Sequence, residues 1–320
     1  MKSPSDLKTP SALDREYLPD SRADAAIRRR ARGVAGSLTH LGPRRPAPNG
    51  STLRSIGSQR NFASCMVMFG RFLEANKAGN FNGYPQDAPE VYLFARSLRV
   101  SEAQLKLDHW ALELFTGVKL PKFKPANPQI LDPRAYTNDQ IDQITAHQTP
   151  EFAYSTRLAV ATGMRGMELI SIGRMDEQPI HVRPRPELVH SFLPPGRLYS
   201  TVGKGGLIRS VHVPLPFIAE LEGARRSEPV EVTHVKRKVF SFYAIRAGRA
   251  WADSFAHACR RVFGSTAGAH GCRHKFAKER LYHLMRCGVD ELTALKVVSV
   301  ELGHFRPSIV QTYLRAYWAP

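Results

Sequence analysis

Two short segments near the C-terminal end of the chain carry side chains able to do chemistry. His270-Gly271-Cys272-Arg273 comes first, then Leu302-Gly303-His304, with Tyr313 nine residues beyond His304. A phenol can attack phosphorus, but its pKa of about 10 means it needs help, and the attack loads negative charge onto the phosphoryl oxygens. An arginine and histidines upstream of the tyrosine are the side chains that would meet both needs. Two earlier segments add further cations, Gly163-Met164-Arg165-Gly166-Met167-Glu168 and Gly203-Lys204-Gly205. Singly, each residue has a plain structural reading: a surface arginine, a hairpin lysine, a packed histidine, an amphipathic tyrosine. Their joint order and spacing favour a shared site.

The composition points to the same class of substrate. The 320 residues include 46 Lys or Arg and 28 Asp or Glu, a formal charge of +18. Solubility does not require such an excess, which marks a polyanionic partner. Residues 234–286 hold twelve basic residues against Asp253 and Glu279. Within that stretch Lys236, Arg237, Arg246, Arg249, Arg260 and Arg261 are candidate DNA contacts, and Lys238 adds to the charge. Phe240, Phe242, Tyr243, Trp251, Phe255 and Phe263 are interleaved with them, which predicts folded helices with one basic side suited to a phosphate backbone.

Other classes are disfavoured. No run of about 18 apolar residues exists, and residues 1–30 lack the apolar core of a secretory signal, so the expectation is a soluble cytoplasmic protein with no membrane partner. Cys65, Cys259, Cys272 and Cys287 contain no Cys-x-x-Cys pair and read as reduced packing residues. His270 and His274 stand four apart but lack the glutamate of a metalloprotease helix, so no metal is expected. Gly203-Lys204 is not a nucleotide loop, because Leu198 stands where that loop requires glycine.

The elements that must position these groups are legible in outline. Residues 1–52 are rich in Pro, Ser and Arg without sustained periodicity and read as a disordered tail, with room for a short helix at 22–32. Over 53–120 the period is helical: Phe62, Met66, Phe69 and Leu73, then Val91, Phe94 and Leu98 behind Pro89, then Leu105, Leu112 and Phe115. A linker at 121–135 follows, where Pro121, Pro125, Pro128 and Pro133 forbid regular structure. The second domain, 136–320, opens on the capping box Thr137-Asn138-Asp139-Gln140. A helix over 152–162 ends at Gly163, and Leu198–Val202 with Ile208–Val213 predicts a hairpin with Lys204 at its tip. From Phe240 onward the reading is helical, through 267–286 and 290–302 to a last helix after Pro307 that bears Tyr313.

Taken together, these motifs resemble the tyrosine recombinase (phage integrase) family, with His270-x-x-Arg273-His274-x-Phe276-Ala277 and Leu302-Gly303-His304 the most specific. The resemblance covers residues 53–320 and is specific over the C-terminal part. It implies a mainly α fold with a small antiparallel β-hairpin or sheet, built as a two-domain clamp of a helical core-binding domain and a mixed α/β catalytic domain. It further implies that Arg165, Arg273 and His304 hold the scissile phosphate and that Tyr313 is the nucleophile. His270 would assist it as base or orienting group, Lys204 would protonate the departing 5′-oxygen, and Glu168 would support the arginines. Tyr317, one turn beyond Tyr313, is a rival that the spacing from His304 disfavours. The implied activity needs neither metal nor cofactor. The implied partners are double-stranded DNA, a homotetramer on paired sites, and accessory DNA-bending or recombinase proteins. The stretch 175–196 is longer and less regular than the family pattern, and only seven residues follow Tyr313.

Two rival readings remain. A type IB topoisomerase would use the same residue types, although His270-x-x-Arg273 and Leu302-Gly303-His304 argue for the recombinase. A DNA-binding accessory factor without catalysis would leave all six catalytic positions filled for no purpose.

Overall fold

The computed structural model describes residues 21–39, 53, 56–126, 134–183, 185–234 and 237–314. The chain divides into two compact units between residues 130 and 131. The first contains α1 (Ser21–Ser37), α2 (Ile56–Ala75), α3 (Ala88–Ser97) and α4 (Glu102–Thr116). Phe62, Met66, Phe69 and Leu73 form one fully buried stripe of α2, each contributing about 1.5–3 kcal/mol of apolar burial. Phe69 is the hub, with ring contacts to Phe72, Phe81, Tyr84, Tyr92 and Phe115. Ser101 caps α4 and Gly117 ends it in the left-handed region.

Two expectations for this unit are corrected. The segment 21–37, read as tail with a short helix at 22–32, is helical throughout and packed, with Ala31 and Ala35 buried in the core, and Arg71 pairs with its Asp24 at 2.8 Å. Val34 and Leu38 pack on the same core beside the buried alanines, and the neighbouring arginines obscure this apolar period in the sequence. Residues 1–20 and 40–52 of the expected tail lie outside the described residues. On α3 the buried residues include Ala88, Tyr92 and Leu93, whereas Phe94 and the C-cap Leu98 are exposed. Phe94 instead meets the Phe123 ring at 5.7 Å, in the segment that follows α4.

The second unit begins with α5 (Asn138–Ala146), α6 (Pro150–Thr162) and the short α7 (Gly166–Ile170). Both capping-box bonds form at the start of α5, Gln140 N to Thr137 Oγ1 at 3.2 Å and Thr137 N to Gln140 Oε1 at 2.9 Å. Strands β1 (Gly173–Arg174), β2 (Gly196–Val202) and β3 (Ile208–Pro214) make an antiparallel sheet in that order, with a 3-10 turn at Lys204–Gly206 between β2 and β3. Next come α8 (Leu215–Gly223), the paired strands β4 (Arg225–His234) and β5 (Arg237–Tyr243), and then α9 (Gly248–Phe263), α10 (His270–Arg286), α11 (Glu291–Glu301) and α12 (Pro307–Leu314).

The β4–β5 hairpin corrects the expectation of basic helices from residue 236 and of helix from Phe240. Ser241, Phe242 and Tyr243 are buried at the end of β5 while Phe240 is exposed, and the segment is paired antiparallel with β4. Cys287, read as a packing residue, is exposed, while Cys65, Cys259 and Cys272 are buried and free. One core gathers α5, α6, α9 and the sheet; a second gathers α10, α11 and α12 and includes Tyr313. Among the described residues no helix is long and apolar enough to cross a membrane.

Candidate active site

Four separate segments of the second unit converge around one carboxylate. Glu168 stands in the first turn of α7, and its Oε2 accepts from the Arg165 backbone N–H at 3.1 Å, so it caps the helix start where the dipole favours negative charge. Its Oε1 accepts from Arg165 Nη1 at 2.6 Å. Oε2 also accepts from Arg209 Nη2 at 2.7 Å and from Arg273 Nη1 at 3.4 Å. Burial alone would raise the Glu168 pKa, but Arg209, Arg273 and Arg165 outweigh it and hold the carboxyl at about 2. Three guanidinium groups on one carboxylate leave the cluster with a net positive charge.

Arg273 is 1 % exposed, reaching across from the first turn of α10. Its Nη1 donates to the Gly163 carbonyl at 2.6 Å and its Nη2 to the Leu302 carbonyl. Burial lowers its pKa to about 10, so it stays charged at neutral pH. Gly163 ends α6 at φ 65, and a Cβ there would lie 2.5 Å from Phe276 Cδ1. That fit lets α10 lie close enough for Arg273 to reach the α6 terminus.

His304 follows the turn after α11. Its Nε2 lies 2.9 Å from Arg165 Nη2 and 2.9 Å from the Tyr313 hydroxyl. Burial first, then Arg273 and Arg165, lower its pKa to about 4, so the ring is neutral at pH 7 and Nε2 is the acceptor of the Arg165 N–H. Tyr313, 7 % exposed on α12, also receives Arg273 Nε at 3.5 Å. The expected residues Arg165, Arg273, His304, Glu168 and Tyr313 are therefore in one hydrogen-bonded cluster.

The remaining expected site residues are placed less directly. His270 is exposed at the start of α10, its ring centroid 5.8 Å from that of Tyr313. Lys204 opens the turn between β2 and β3, whose base is tied to α7 by Thr201 Oγ1 donating to the Glu168 carbonyl at 2.6 Å. Arg246, Arg249, Arg260 and Arg261 are exposed, the last three on α9 away from buried Trp251 and Phe255. Arg237 begins β5, and Lys236 and Tyr317 lie outside the described residues.

Two residues were missed. Arg209, 5 % exposed, belongs to the cluster as the third cation on Glu168. A signal existed: Arg209, Val211 and Val213 alternate on β3 and all are buried, so an arginine occupies the inward face of a strand. His274, 8 % exposed, packs edge-on against the Tyr313 ring at 4.5 Å and hydrogen-bonds the Tyr313 backbone; burial pushes its imidazole down to about 4.

The sequence matches no protein-family model and no curated protein. Among solved structures, the XerH site-specific recombinase bound to palindromic difH substrate, a post-cleavage complex, is similar with a TM-score of 0.51 over 94% of each chain at 14% identity. The XerH pre-cleavage complex gives a TM-score of 0.49 over 95% of this chain and 89% of that one, at 14% identity. XerA recombinase gives 0.36 over 81% and 88%, at 16% identity. The fold, mainly helical with small antiparallel sheets, is that of the tyrosine recombinases. The likeness is one of fold.

Proposed function

We propose that this chain is a site-specific recombinase that cleaves and rejoins double-stranded DNA through a 3′-phosphotyrosyl link to Tyr313. The observation that carries the reading is the meeting of Arg273 and His304 at the Tyr313 hydroxyl, with Arg165 hydrogen-bonded to His304, within a tyrosine-recombinase fold.

The phenolic oxygen of Tyr313 attacks phosphorus, the phosphorus–O5′ bond breaks, and the DNA is left with a 3′-phosphotyrosine and a free 5′-hydroxyl. The phosphodiester energy is retained in the new ester, so the 5′-hydroxyl of another strand reverses the step without ATP. Charge that builds on the phosphoryl oxygens is met by Arg165 and Arg273, whose guanidinium groups stay charged beside the Tyr313 hydroxyl and its neighbour His304. Removing one such donor costs about 3 kcal/mol of barrier, a hundredfold or more in rate. Neutral His304 faces the phenol through Nε2 and is the imidazole within reach of its proton in the DNA-free state. His270, whose ring lies beside that of Tyr313, assists as a base or orienting group. Lys204 is the acid for the departing 5′-oxygen, a task that suits lysine because arginine holds its proton too tightly. The helical unit at residues 53–120 and the exposed arginines of α9 supply DNA contacts, and four protomers on paired sites exchange strands.

The test is denaturing recovery of the protein from cells, with sequencing of any DNA still attached. Adducts at a discrete sequence are expected, and they vanish with Tyr313→Phe while Tyr317→Phe retains them. Absence of adducts from a folded, DNA-binding protein would replace this reading with an accessory DNA-binding role.

A further inference from the structure

Arg209 is absent from the residues assigned above to the reacting phosphate, yet its contacts reach both sides of the site. We propose that Arg209 is a positioning residue for strand cleavage: it fixes the turn that carries His304 to the carboxylate that carries Arg165 and Arg273. The inference rests on the recombinase reading and adds a residue to it.

The contacts are specific. Arg209 Nη2 donates to Glu168 Oε2 at 2.7 Å, and Nη1 donates to the Glu301 carbonyl at 2.6 Å. Arg273 Nη2 takes the next carbonyl, that of Leu302. Two buried guanidinium groups thus hold successive carbonyls at the C-terminal end of α11, where the helix dipole is negative and its last carbonyls lack helical partners. His304 is two residues further on. Gly303 between them has φ 70, and a Cβ on it would lie 2.8 Å from Arg209 Cδ and 3.1 Å from Nε. The turn therefore lies directly on the arginine side chain. Arg209 Nε is buried without a partner, so the side chain is held in this path at the cost of an unmet donor. A second consequence runs along β3. Arg209 lies opposite Thr201 in the register, and Thr201 holds the Glu168 carbonyl, so both strands flanking the Lys204 turn are tied to the same glutamate.

No substitution reproduces this geometry. Methionine keeps the apolar stem and loses both bonds. Lysine keeps a charge beside Glu168 but has a single nitrogen and cannot span two acceptors. In Arg209→Met the His304 turn loses one of its two guanidinium anchors and Glu168 loses one of three cations. The clamp loosens while DNA contacts elsewhere stay as they were.

The experiment compares wild type, Arg209→Lys and Arg209→Met, each checked for folding by thermal melting. Covalent adduct formation is measured on a duplex recovered from the adduct sequencing, beside retention of the same duplex under non-denaturing conditions. The expected result is a loss of adduct formation of about a hundredfold in Arg209→Met, as for a misplaced phosphate donor, partial recovery in Arg209→Lys, and unchanged retention. A second arm replaces the bridging 5′-oxygen by sulfur, whose thiolate leaves without an acid. Sulfur is expected to restore Lys204→Ala and to leave Arg209→Met slow. Wild-type rates in folded Arg209→Met, retention falling in step with adducts, or restoration by sulfur would each overturn the proposal. A third arm needs no DNA: NMR titration of the His304 ring, assigned with His304→Asn, should shift upward in Arg209→Met, which removes a cation that lowers it, and less in Arg209→Lys, each relative to wild type. An unmoved ring in a folded variant counts against Arg209, whereas absence of adducts from wild type counts against the recombinase reading itself.

Discussion

At the scale of single residues, the environment decides what each group can do at neutral pH. His304 has Nε2 between the Arg165 guanidinium and the Tyr313 hydroxyl, and its pKa of about 4 keeps that nitrogen unprotonated, an acceptor shared by the two. The acid limb of adduct formation should therefore fall near pH 4 rather than at the ordinary histidine value near 6.5, because protonation removes the acceptor. A rate profile between pH 4 and 8 tests this; because burial first, then His274 and Arg273, also lower the His270 imidazole to about 4, an acid limb that persists in His304→Asn and disappears in His270→Ala would transfer the role to His270. His304→Ala should lower adduct formation about a hundredfold with DNA retention intact, as expected for a group acting on the reacting centre. Glu168→Gln keeps the shape and removes the charge shared by three arginines. It should lower thermal stability by several degrees, because guanidinium groups that are buried and unpaired repel one another.

At the scale of elements, close approach is what brings distant residues together. Gly163 permits both the left-handed end of α6 and the contact with Phe276, and its carbonyl receives Arg273. Gly163→Ala should cost roughly 2 kcal/mol or more from backbone strain and overlap combined, read from denaturant melts. Thr137→Ala removes one half of the capping box and should cost about 1 kcal/mol by the same measurement. The difference between the two reflects what each residue borders: Thr137 serves its own helix, Gly163 the packing of α6 on α10. Elements whose apolar face is wide were legible from sequence, as α2 was through Phe62, Met66, Phe69 and Leu73. Those with narrow or small-residue faces were not. α1 packs through Ala31, Val34 and Ala35, with Leu38 just beyond it, set among arginines, and the β4–β5 hairpin carries so much charge that it read as basic helix.

At the scale of the whole chain, charge and protonation set two dependences. A net +18 favours a phosphate backbone through release of counterions, so affinity for a recognised DNA site should fall steeply between 50 and about 200 mM salt, measured by retention titrations. A flat response would remove the basic-surface argument. Stability should respond to pH in a definite direction. His190, His274 and His304 have folded pKa values near 4 against 6.5 for a free imidazole. Between those values the unfolded chain binds more protons, so stability declines as pH falls from 6.5 to 4. Glu168, held at about 2 against 4.5, adds a further loss below pH 4.5. Melting temperature measured from pH 7 down to 4 should fall throughout.

The sequence by itself determined which chemical groups are present, their order along the chain, and the local structure around several of them. The capping box at Thr137, the left-handed Gly163, the Lys204 turn and the helix bearing Tyr313 all follow from interactions spanning a few residues, which spacing can encode. Only the tertiary structure decided that Glu168 is shared by Arg165, Arg209 and Arg273, that His274 rather than His270 packs edge-on against Tyr313, and that His304 reaches its hydroxyl. Arg165 meets His304 across 139 residues and Arg273 meets Glu168 across 105. Contacts at such separations are set by how helices and strands pack, and no local pattern records which buried charge will lie beside which.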